Sequence, residues 1–418
     1  TRNYPQETLA SQVVGFLGGD GIGQYGVEGF YDEILKGQEK VQEQGRGPIS
    51  YLDFNFGADF ARGSDIFLTL DYNIQFFAEK LLKEAKDDYN IESGTIIAMN
   101  PASGKILALA NFPNFTPNQY AKAKSMDVFQ NSGIQKIYEP GSIFKPITMA
   151  SAINEGKITP DTKYIDGGKV QVGGYVIYNY DERVWGERTM TEVLERSINT
   201  GAVFAERQMG NQKFLEYLDK FGLFEPTKID LGGEEFSQNR ELKKGYEINY
   251  TTAAFGQGIE ATPMQIIRSY SAITNGGRMV KPYIIEKSVG ENGEEVTQSE
   301  FSEQIISQKT SFQMVEMLVS VIEKGFGKKA KIPGYYVGGK TGTAQVAYSA
   351  LGVNKPGYSE KTNQSFIGFA PAYNPKFLIL VKLENPGTKT AEYSALPIFH
   401  ELAQYMVDYL QIPPDYEE

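Results

Sequence analysis

The sequence predicts an α+β protein in which one largely antiparallel sheet is covered by helices. Strand-like segments lie towards both ends of the 418-residue chain, and helical segments fill the stretch between them. Strands that follow one another are joined by short connections, which is typical of antiparallel hairpins. Hydrophobic residues make up 41% of the chain and charged residues 22%, so the composition allows a large buried core.

Residues 1–62 are rich in glycine and irregular in pattern. Residues 11–19 are compatible with a short strand, residues 27–37 with a short helix, and residues 47–60 with a weakly alternating strand. Because this stretch is too short and too polar to build a core alone, we expect it to be an appended segment. The main domain is predicted to span residues 63–418.

The main domain begins with a predicted strand at residues 64–70. Residues 71–87 follow with apolar side chains at helical spacing, and Asp71 is placed as the N-cap. Two further strands, residues 93–100 and 105–111, are joined by a four-residue turn and predict a hairpin.

Helices are predicted through the middle of the chain and strands near its end. The helical segments are residues 145–156, 189–210 with a break near the middle, 262–277, 312–327 and the C-terminal 397–410. The late strands are residues 336–348, 364–371 and 376–385. Residues 291–300 are predicted to be a polar surface loop.

Charge and hydropathy exclude several classes of protein. The formal net charge of −11 argues against a broad nucleic-acid surface and against a polybasic membrane patch. No apolar run approaches the roughly 20 residues that span a bilayer. Since the chain begins at Thr1, we expect a processed or trimmed chain, and a missing leader or anchor does not indicate the cytoplasm.

The chain has no cysteine and a single histidine, His400. This composition excludes cysteine nucleophiles, disulfides and thiolate metal sites, and we expect neither a metal nor another cofactor. His400 lies in a predicted amphipathic helix, where a packing or surface role is favoured over catalysis. A nucleophilic enzyme with this sequence would therefore use lysine, tyrosine or a carboxylate as its base.

Two nucleotide-binding patterns occur in the chain, but their context is wrong. Residues 21–26 read G-x-G-x-x-G, yet no βαβ unit surrounds them, so we interpret them as a glycine-rich turn. Residues 334–341 match G-x-x-x-x-G-K-T, but an alternating strand follows where a phosphate-binding loop needs a helix.

A third pattern, Ser142-Ile-Phe-Lys145, is better supported by its surroundings. Alone it is weak, and its simplest interpretation is a solvated lysine one turn from an exposed serine. Pro146, however, is tolerated only in the first turn of a helix, which places Ser142 near a helix N-terminus. There the dipole favours an alkoxide and the oxyanion that follows it. Lys145 at i+3 shares the helical face with Ser142.

A lysine base requires a lowered pKa, which burial and a second cation provide. We therefore hypothesise that Lys145 is the base and that Lys340 keeps it neutral. In an extended or turn segment, Ser197 and Asn199 would point the same way and direct a hydroxyl and an amide into one cleft. Ser197 could then relay a proton to the leaving amine, and Asn199 could hold the substrate backbone amide or orient Lys145. A helix break with local capping is the simpler alternative for this pair.

Residues 340–343 read Lys-Thr-Gly-Thr on a predicted edge strand. Gly342 permits a close approach of another backbone, and Thr341 and Thr343 with the lysine suit a terminal carboxylate. A peptide substrate could add to this edge as a further strand. The backbone N–H groups of Ser142 and Thr343 are then the candidate oxyanion hole.

In this order and at this spacing, S-x-x-K, S-x-N and K-T-G resemble the motif set of penicillin-binding proteins and serine β-lactamases. Further segments resemble the class B penicillin-binding proteins, with a weak preference for the division and sporulation branch; they are residues 2–37, 63–75, 99–120, 138–146, 255–266 and 338–345. The resemblance implies the transpeptidase fold, a short pedestal-like segment at residues 1–62, and a position for Gln257 near the cleft.

The same resemblance implies a peptidoglycan D,D-transpeptidase. Its substrates would be a D-Ala-D-Ala stem and an amine acceptor, and β-lactams would acylate the same serine. It also implies a membrane anchor, an extracytoplasmic catalytic domain, and a membrane glycosyltransferase and division proteins as partners.

Alternatives of the same fold are a D,D-carboxypeptidase, a β-lactamase or a β-lactam sensor, and a non-catalytic division scaffold is a further one. Glu225 is the only residue that even superficially resembles a β-lactamase base. The favoured interpretation is that Glu225 lies in a turn before a strand. Trp185 is predicted to pack in a surface loop, with a cleft-lining role as the alternative.

Overall fold

The computed structural model of the chain describes residues 2–37, 63–291 and 293–417. The described strands are β1 (Phe16–Leu17), β2 (Gly23–Gln24), β3 (Asp65–Leu68), β4 (Ser93–Met99), β5 (Ile106–Phe112), β6 (Lys163–Asp166), β7 (Lys169–Val172), β8 (Tyr175–Tyr178), β9 (Gly186–Thr189), β10 (Arg278–Val280), β11 (Ile285–Gly290), β12 (Gly293–Val296), β13 (Phe301–Gln304), β14 (Gly338–Ala347), β15 (Tyr358–Ala370) and β16 (Phe377–Glu384).

The described α-helices are α1 (Ser11–Val14), α2 (Gly26–Phe30), α3 (Asp32–Lys36), α4 (Tyr72–Tyr89), α5 (Ser132–Gln135), α6 (Lys145–Asn154), α7 (Met190–Glu195), α8 (Asn199–Met209), α9 (Asn211–Lys220), α10 (Arg240–Lys243), α11 (Glu247–Ala253), α12 (Pro263–Thr274), α13 (Gln308–Glu323) and α14 (Ala395–Tyr409). Short 3₁₀ turns occur between them, at Pro117–Lys122, Met126–Phe129, Gly141–Phe144, Tyr180–Glu182, Lys328–Ala330, Tyr348–Leu351 and Ala391–Tyr393.

A five-stranded sheet in the order β14-β15-β16-β4-β5 forms the centre of the fold. Every neighbouring pair is antiparallel. The hairpin near the chain start therefore pairs with the three strands near its end, and β14 forms one edge. The predicted antiparallel sheet and the predicted edge strand are confirmed.

Helices cover both faces of this sheet because its central strands are apolar on both sides. On β4, Ile96 belongs to the core shared with α4 and α14, and its neighbour Ile97 belongs to the core shared with α6, α12 and α13. On β16, Ile379 and Leu380 divide in the same way. Successive side chains of a strand point to opposite faces, so a continuous apolar run predicts such a doubly covered sheet.

Helix α4 begins where the sequence predicts it. The Asp71 carboxylate accepts hydrogen bonds from the backbone N–H groups of Asn73 and Ile74, which satisfies two of the donors that a helix N-terminus leaves free. The predicted break in residues 189–210 is the junction between α7 and α8.

The N-terminal segment packs onto the main domain. Gln12 on α1 donates from Nε2 to the carbonyls of Pro113 and Val128, at 2.9 Å each. Phe16 on β1 lies in a buried aromatic cluster with Phe115 and Phe129. Residues 2–37 thus share their core with the main domain. A segment this small cannot build a core of its own.

Several local predictions need correction. The sequence predicts a polar loop at residues 291–300, but Gly293–Val296 pairs with β11 as strand β12. This strand has no visible alternation of apolar and polar residues because it lies in an exposed polar hairpin. The predicted strand at residues 64–70 joins β11 in a separate three-stranded sheet. Part of the predicted strand at residues 11–19 is helix α1, and residues 27–37 form parts of two short helices. The strand expected at residues 47–60 lies outside the described residues.

Within the described ranges, no helix combines the length and the apolar character needed to cross a membrane.

Candidate active site

Ser142 lies in a 3₁₀ turn, Gly141–Phe144, that continues directly into helix α6. The turn begins at Gly141 with φ +60°, a conformation that favours glycine. Ile143 and Phe144 are fully buried, while Ser142 is half-buried. The buried Tyr270 hydroxyl also donates to the Ile143 carbonyl at 2.5 Å. The serine is therefore held on a turn whose neighbours are anchored in the core.

Lys145 is the first residue of α6 and is fully buried. Its Nζ donates to the Ser197 carbonyl at 2.5 Å and to Ser197 Oγ at 3.2 Å. Burial, followed by the positive charge of Lys340, holds the pKa of Lys145 well below its ordinary value.

Lys340 reaches the same hydroxyl from strand β14. Its Nζ donates to Ser197 Oγ at 2.9 Å and to the Thr341 carbonyl at 3.2 Å. Its side chain is 1% exposed, and burial lowers the pKa of Lys340 to about 7. Two buried amines thus converge on one serine hydroxyl, and the structure brings together Lys145, Ser197 and Lys340 as the sequence predicts.

Ser197 occupies the junction between α7 and α8 with φ +54°. A non-glycine residue in this left-handed region carries strain and persists only where its surroundings hold it there. Here the hydrogen bonds from the two lysines to its carbonyl and hydroxyl provide that restraint. The strained turn is what aims both Ser197 oxygens at the amines.

Asn199 opens helix α8, so the backbone around this pair is a helix junction and not an extended strand. Its Nδ2 donates to the Tyr178 carbonyl of β8 at 2.9 Å. Asn199 therefore lies two residues from the lysine cluster, with its amide tied to a neighbouring hairpin.

Strand β14 approaches the Ser142 turn closely. A Cβ added at Gly342 would lie 2.9 Å from Ile143 Cγ2 and 3.0 Å from the Pro140 carbonyl oxygen. Glycine is required there because any larger residue would separate the strand from the turn. Thr341 and Thr343 are half-buried, and Thr343 Oγ1 accepts from the Ala391 N–H at 3.1 Å. The residues predicted for the oxyanion hole thus lie on two segments in direct contact.

Gln257 lies in the turn Phe255–Gly258, which touches the serine turn from another side. The Gly141 N–H donates to the Gly256 carbonyl at 2.9 Å. Gln257 itself is half-buried.

Sequence reasoning missed the two hairpin-like arms beside Asn199. They pair β6 with β9 and β7 with β8, and the buried Asp166 carboxylate joins them. It accepts hydrogen bonds from Thr200 Oγ1, Asn179 Nδ2 and the Trp185 N–H. The alternating segment on either side of Gly173-Gly174 is a hairpin signal that could have identified β7 and β8.

The remaining candidates have structural explanations. Trp185 is partly buried against the core and stacks under Arg196, with 5.7 Å between guanidinium and ring, as predicted for a packed loop. Glu225 is exposed and pairs with Arg268 at 3.3 Å, and residues 226–239, which directly follow it, contain no strand. His400 lies on α14, which packs on the sheet.

The two nucleotide-like patterns are likewise explained. Residues 21–26 form the turn into β2 and the start of the five-residue α2, and residues 338–347 continue as strand β14.

Known proteins of one family match most of this chain. Residues 94–404 match the family described as the penicillin binding protein transpeptidase domain. Stage V sporulation protein D of Bacillus subtilis is 34% identical over 397 residues, which cover 92% of this chain and 60% of that protein. Penicillin-binding protein PbpB of Mycobacterium tuberculosis is 29% identical over 429 residues, covering 99% of this chain and 62% of that protein.

Solved structures of the same family share the fold. Penicillin binding protein 3 of M. tuberculosis, complexed with ampicillin, superposes with a TM-score of 0.89 at 28% identity and covers 100% of this chain and 91% of that one. A further structure of that protein is complexed with aztreonam. The chain spans about 60% of the length of the sporulation protein and of PbpB.

Proposed function

The chain belongs to the penicillin binding protein transpeptidase family, and on that premise we propose that it is a peptidoglycan D,D-transpeptidase with Ser142 as its nucleophile. The observation that carries this proposal is the convergence of two fully buried lysines on the hydroxyl of Ser197, since one of them, Lys145, lies three residues after Ser142. Burying two amines costs stability, and side chains with strongly shifted pKa values are concentrated at functional sites.

Lys145 is the proposed base for acylation. A neutral amine has two N–H groups and one lone pair. The two hydrogen bonds to Ser197 occupy both N–H groups, which leaves the lone pair to accept the Ser142 proton. The Ser142 oxygen then attacks the carbonyl of the D-Ala-D-Ala bond, and the backbone N–H groups of Ser142 and Thr343 stabilise the resulting oxyanion.

Ser197 is proposed to pass the proton from Lys145 to the leaving D-Ala amine. Its Oγ accepts from both lysines, so its own O–H remains directed away from them and available to the leaving group. The C–N bond of the donor breaks as this proton arrives, and the acyl ester on Ser142 remains. The amine of a second stem then attacks the ester, and its proton returns through the same groups.

Substrate binding is assigned to the edge of the sheet. When charged, Lys340 has three N–H groups, of which Ser197 and the Thr341 carbonyl take two. We propose that the third, with the hydroxyls of Thr341 and Thr343, binds the terminal carboxylate, while the donor peptide lies along the β14 edge opened by Gly342. Asn199 and Gln257 are proposed to contact the substrate backbone.

We also propose the cellular setting implied by the family. The catalytic domain, residues 63–418, would lie outside the cytoplasm as part of a membrane-anchored protein. Residues 1–62 would be part of a pedestal. A membrane glycosyltransferase and division or sporulation proteins are the proposed partners.

The proposed function is tested with a stem pentapeptide ending in D-Ala-D-Ala and a separate amine acceptor. We expect D-Ala release together with a cross-linked product detected by mass spectrometry, and neither with Ser142→Ala. D-Ala release without transfer would indicate a carboxypeptidase, and rapid penicillin turnover would indicate a β-lactamase. A folded wild-type protein with no acyl chemistry at all would indicate a scaffold.

A further inference from the structure

The segment that leads into Ser142 is fastened to a second segment, Phe255–Ala261, by paired backbone hydrogen bonds. Tyr138 and Ala261 exchange both N–H to carbonyl bonds, each 3.0 Å long, and the Gly141 N–H donates to the Gly256 carbonyl at 2.9 Å. A Cβ added at Gly256 would lie 2.1 Å from the Gly141 carbonyl oxygen. The two backbones are therefore in direct contact just before the nucleophile.

One carboxylate adds side-chain ties to this arrangement. Glu139 Oε1 accepts from the Gly258 N–H at 2.9 Å and from the Tyr358 hydroxyl at 3.2 Å. Tyr358 is the first residue of β15, the partner strand of β14. Glu139 thus joins three elements around the serine turn: its own segment, the turn at Phe255–Gly258, and the beginning of β15.

The Glu139 carboxyl is largely buried and has no cationic partner among the described residues. No salt bridge reaches it from the described part of the chain, and its Oε2 is buried without a hydrogen-bond partner. The pKa of Glu139 is raised to about 7, and burial is the main cause. The hydrogen bonds from Gly258 and Tyr358 oppose this shift, and the charge of Glu260 adds to it. Burial and the adjacent Glu139 carboxyl also raise the pKa of Tyr358. Burying a carboxyl without a counter-ion costs free energy, and such groups are often found at functional sites.

We infer that Glu139 is a positioning residue for acyl transfer to Ser142, because its carboxyl holds the Phe255–Gly258 turn against Gly141 and so fixes the backbone N–H of Ser142. The inference rests on the function proposed above. Gly141 has φ +60°, and the bond to Gly256 is what holds its N–H in that conformation. A turn that drifts by a fraction of an ångström would misdirect the proposed oxyanion donor. Glu139 is assigned a positioning role because its hydrogen bonds are with Gly258 and Tyr358, which lie on the elements around the serine turn.

The test compares Glu139→Ala and Glu139→Gln with the wild type. Second-order acylation rates are measured with a chromogenic β-lactam between pH 5.5 and 8.5, alongside thermal unfolding. We expect Glu139→Ala to acylate about 10–100-fold more slowly at every pH. Glu139→Gln should stay within about 5-fold of wild type, since its Oε1 still accepts both hydrogen bonds.

The pH profile separates positioning from a merely structural role. Hydrogen bonds to a carboxylate are stronger than those to a neutral acceptor, so the ratio of the wild-type rate to the Glu139→Gln rate should rise as pH passes about 7. Tyr358→Phe removes one of the two hydrogen-bond donors to Glu139, so its acylation rate should fall between those of the wild type and Glu139→Ala. This variant also tests the inference if Glu139→Ala does not fold.

Glu260→Gln is the matched control, because it neutralises a nearby carboxylate that instead bonds Ser237 Oγ at 2.9 Å. At pH 8.5, where Glu139 is ionised in both proteins, its acylation rate should equal that of the wild type. The inference is wrong if Glu139→Ala or Tyr358→Phe acylates at the wild-type rate, or if Glu139→Gln falls as far as Glu139→Ala. A folded wild type and Glu260→Gln that both fail to acylate would overturn the proposed function itself, and this inference with it.

Discussion

At the scale of single residues, Ser197 links the chemistry of the two lysines. Its hydroxyl accepts from Lys145 at 3.2 Å and from Lys340 at 2.9 Å, and its carbonyl accepts from Lys145 at 2.5 Å. Neither amine has a carboxylate partner among the hydrogen bonds described. Burial lowers the pKa of both amines, and the positive charge of Lys340 further disfavours a charge on Lys145.

This coupling predicts a shift in the pH dependence of acylation. Lys340→Met removes a cation from the vicinity of Lys145, so the pKa of Lys145 should rise. Less of the base is then neutral at a given pH. The acidic limb of the rate profile should move to higher pH by about 1 unit, with a maximal rate at least about 10-fold lower because the Ser197 hydrogen bond is lost.

Stopped-flow acylation with a chromogenic β-lactam measures this profile. Lys361→Met serves as the control, because Lys361 pairs with Glu92 on the surface and should leave the profile unchanged. A limb that stays in place or moves to lower pH in Lys340→Met would contradict the assigned role of Lys340.

The sequence motifs predicted which side chains come together at the site, but not the backbone geometry that brings them into contact. The convergence of Lys145, Ser197 and Lys340 follows from the spacing of three motifs. The bond from Lys145 to the Ser197 carbonyl depends on φ +54° at Ser197, and a serine carries no sequence signal for that conformation. The tie between Glu139 and Tyr358 spans 219 residues and has no local pattern either.

At the scale of elements, the site depends on how closely β14 approaches the serine turn. Gly342 lies where a Cβ would meet Ile143 Cγ2 at 2.9 Å and the Pro140 carbonyl at 3.0 Å. The backbone contact leaves no room for a methyl group unless the turn or the strand moves. Such movement would separate the two proposed oxyanion donors, Ser142 and Thr343.

Gly342→Ala should therefore lower activity far more than it lowers stability. We expect acylation to slow by about 100-fold and the free energy of unfolding to fall by about 1–2 kcal/mol, as for other small overpacking changes. Gly174→Ala is the control, since a Cβ there meets no atom within 4 Å. Equal acylation rates in the two variants would show that close approach at β14 is not needed.

The strands of the central sheet were predictable from sequence, and the short arms beside Asn199 were not. Strand β14 could be placed as an edge strand because the pattern of residues 336–348 alternates and contains glycine. Strands β6 to β9 are short, mostly exposed arms, and the Asp166 carboxylate that joins them is buried only after they assemble. Local hydrophobic periodicity contains little information about such arms.

At the scale of the whole molecule, the fold places distant parts of the chain in one site. The sheet order β14-β15-β16-β4-β5 joins the first hairpin of the main domain to the last three strands. Helices α6 and α8 pack together on one face and bring Lys145 to Ser197. The class of fold was predictable because continuous apolar strands and helical periodicity persist over long segments. The docking of residues 2–37 was not, because it depends on contacts such as that of Phe16 with Phe115 and Phe129.

The buried lysines should cost the molecule stability near neutral pH. Burial lowers the pKa of Lys340 from 10.5 to about 7, so between these values the unfolded chain binds more protons than the native protein. The free energy of unfolding therefore rises with pH across that window, by about 1.4 kcal/mol per unit of pKa depression for each such group.

Lys340→Met should accordingly be more stable than the wild type at pH 7, and the difference should shrink by pH 10. Urea unfolding at both pH values measures this. A variant that is less stable than the wild type at pH 7 would show that the buried amine is not a cost to the fold.

Covalent labelling of Ser142 is the most direct test of the account. The wild-type protein is incubated with a fluorescent penicillin, and the modified peptide is located by mass spectrometry, with Ser142→Ala as the control. We predict one stable adduct per molecule on Ser142 and none in Ser142→Ala. A folded wild type without an adduct, or an adduct that persists in Ser142→Ala, would contradict the assignment of Ser142 as the nucleophile.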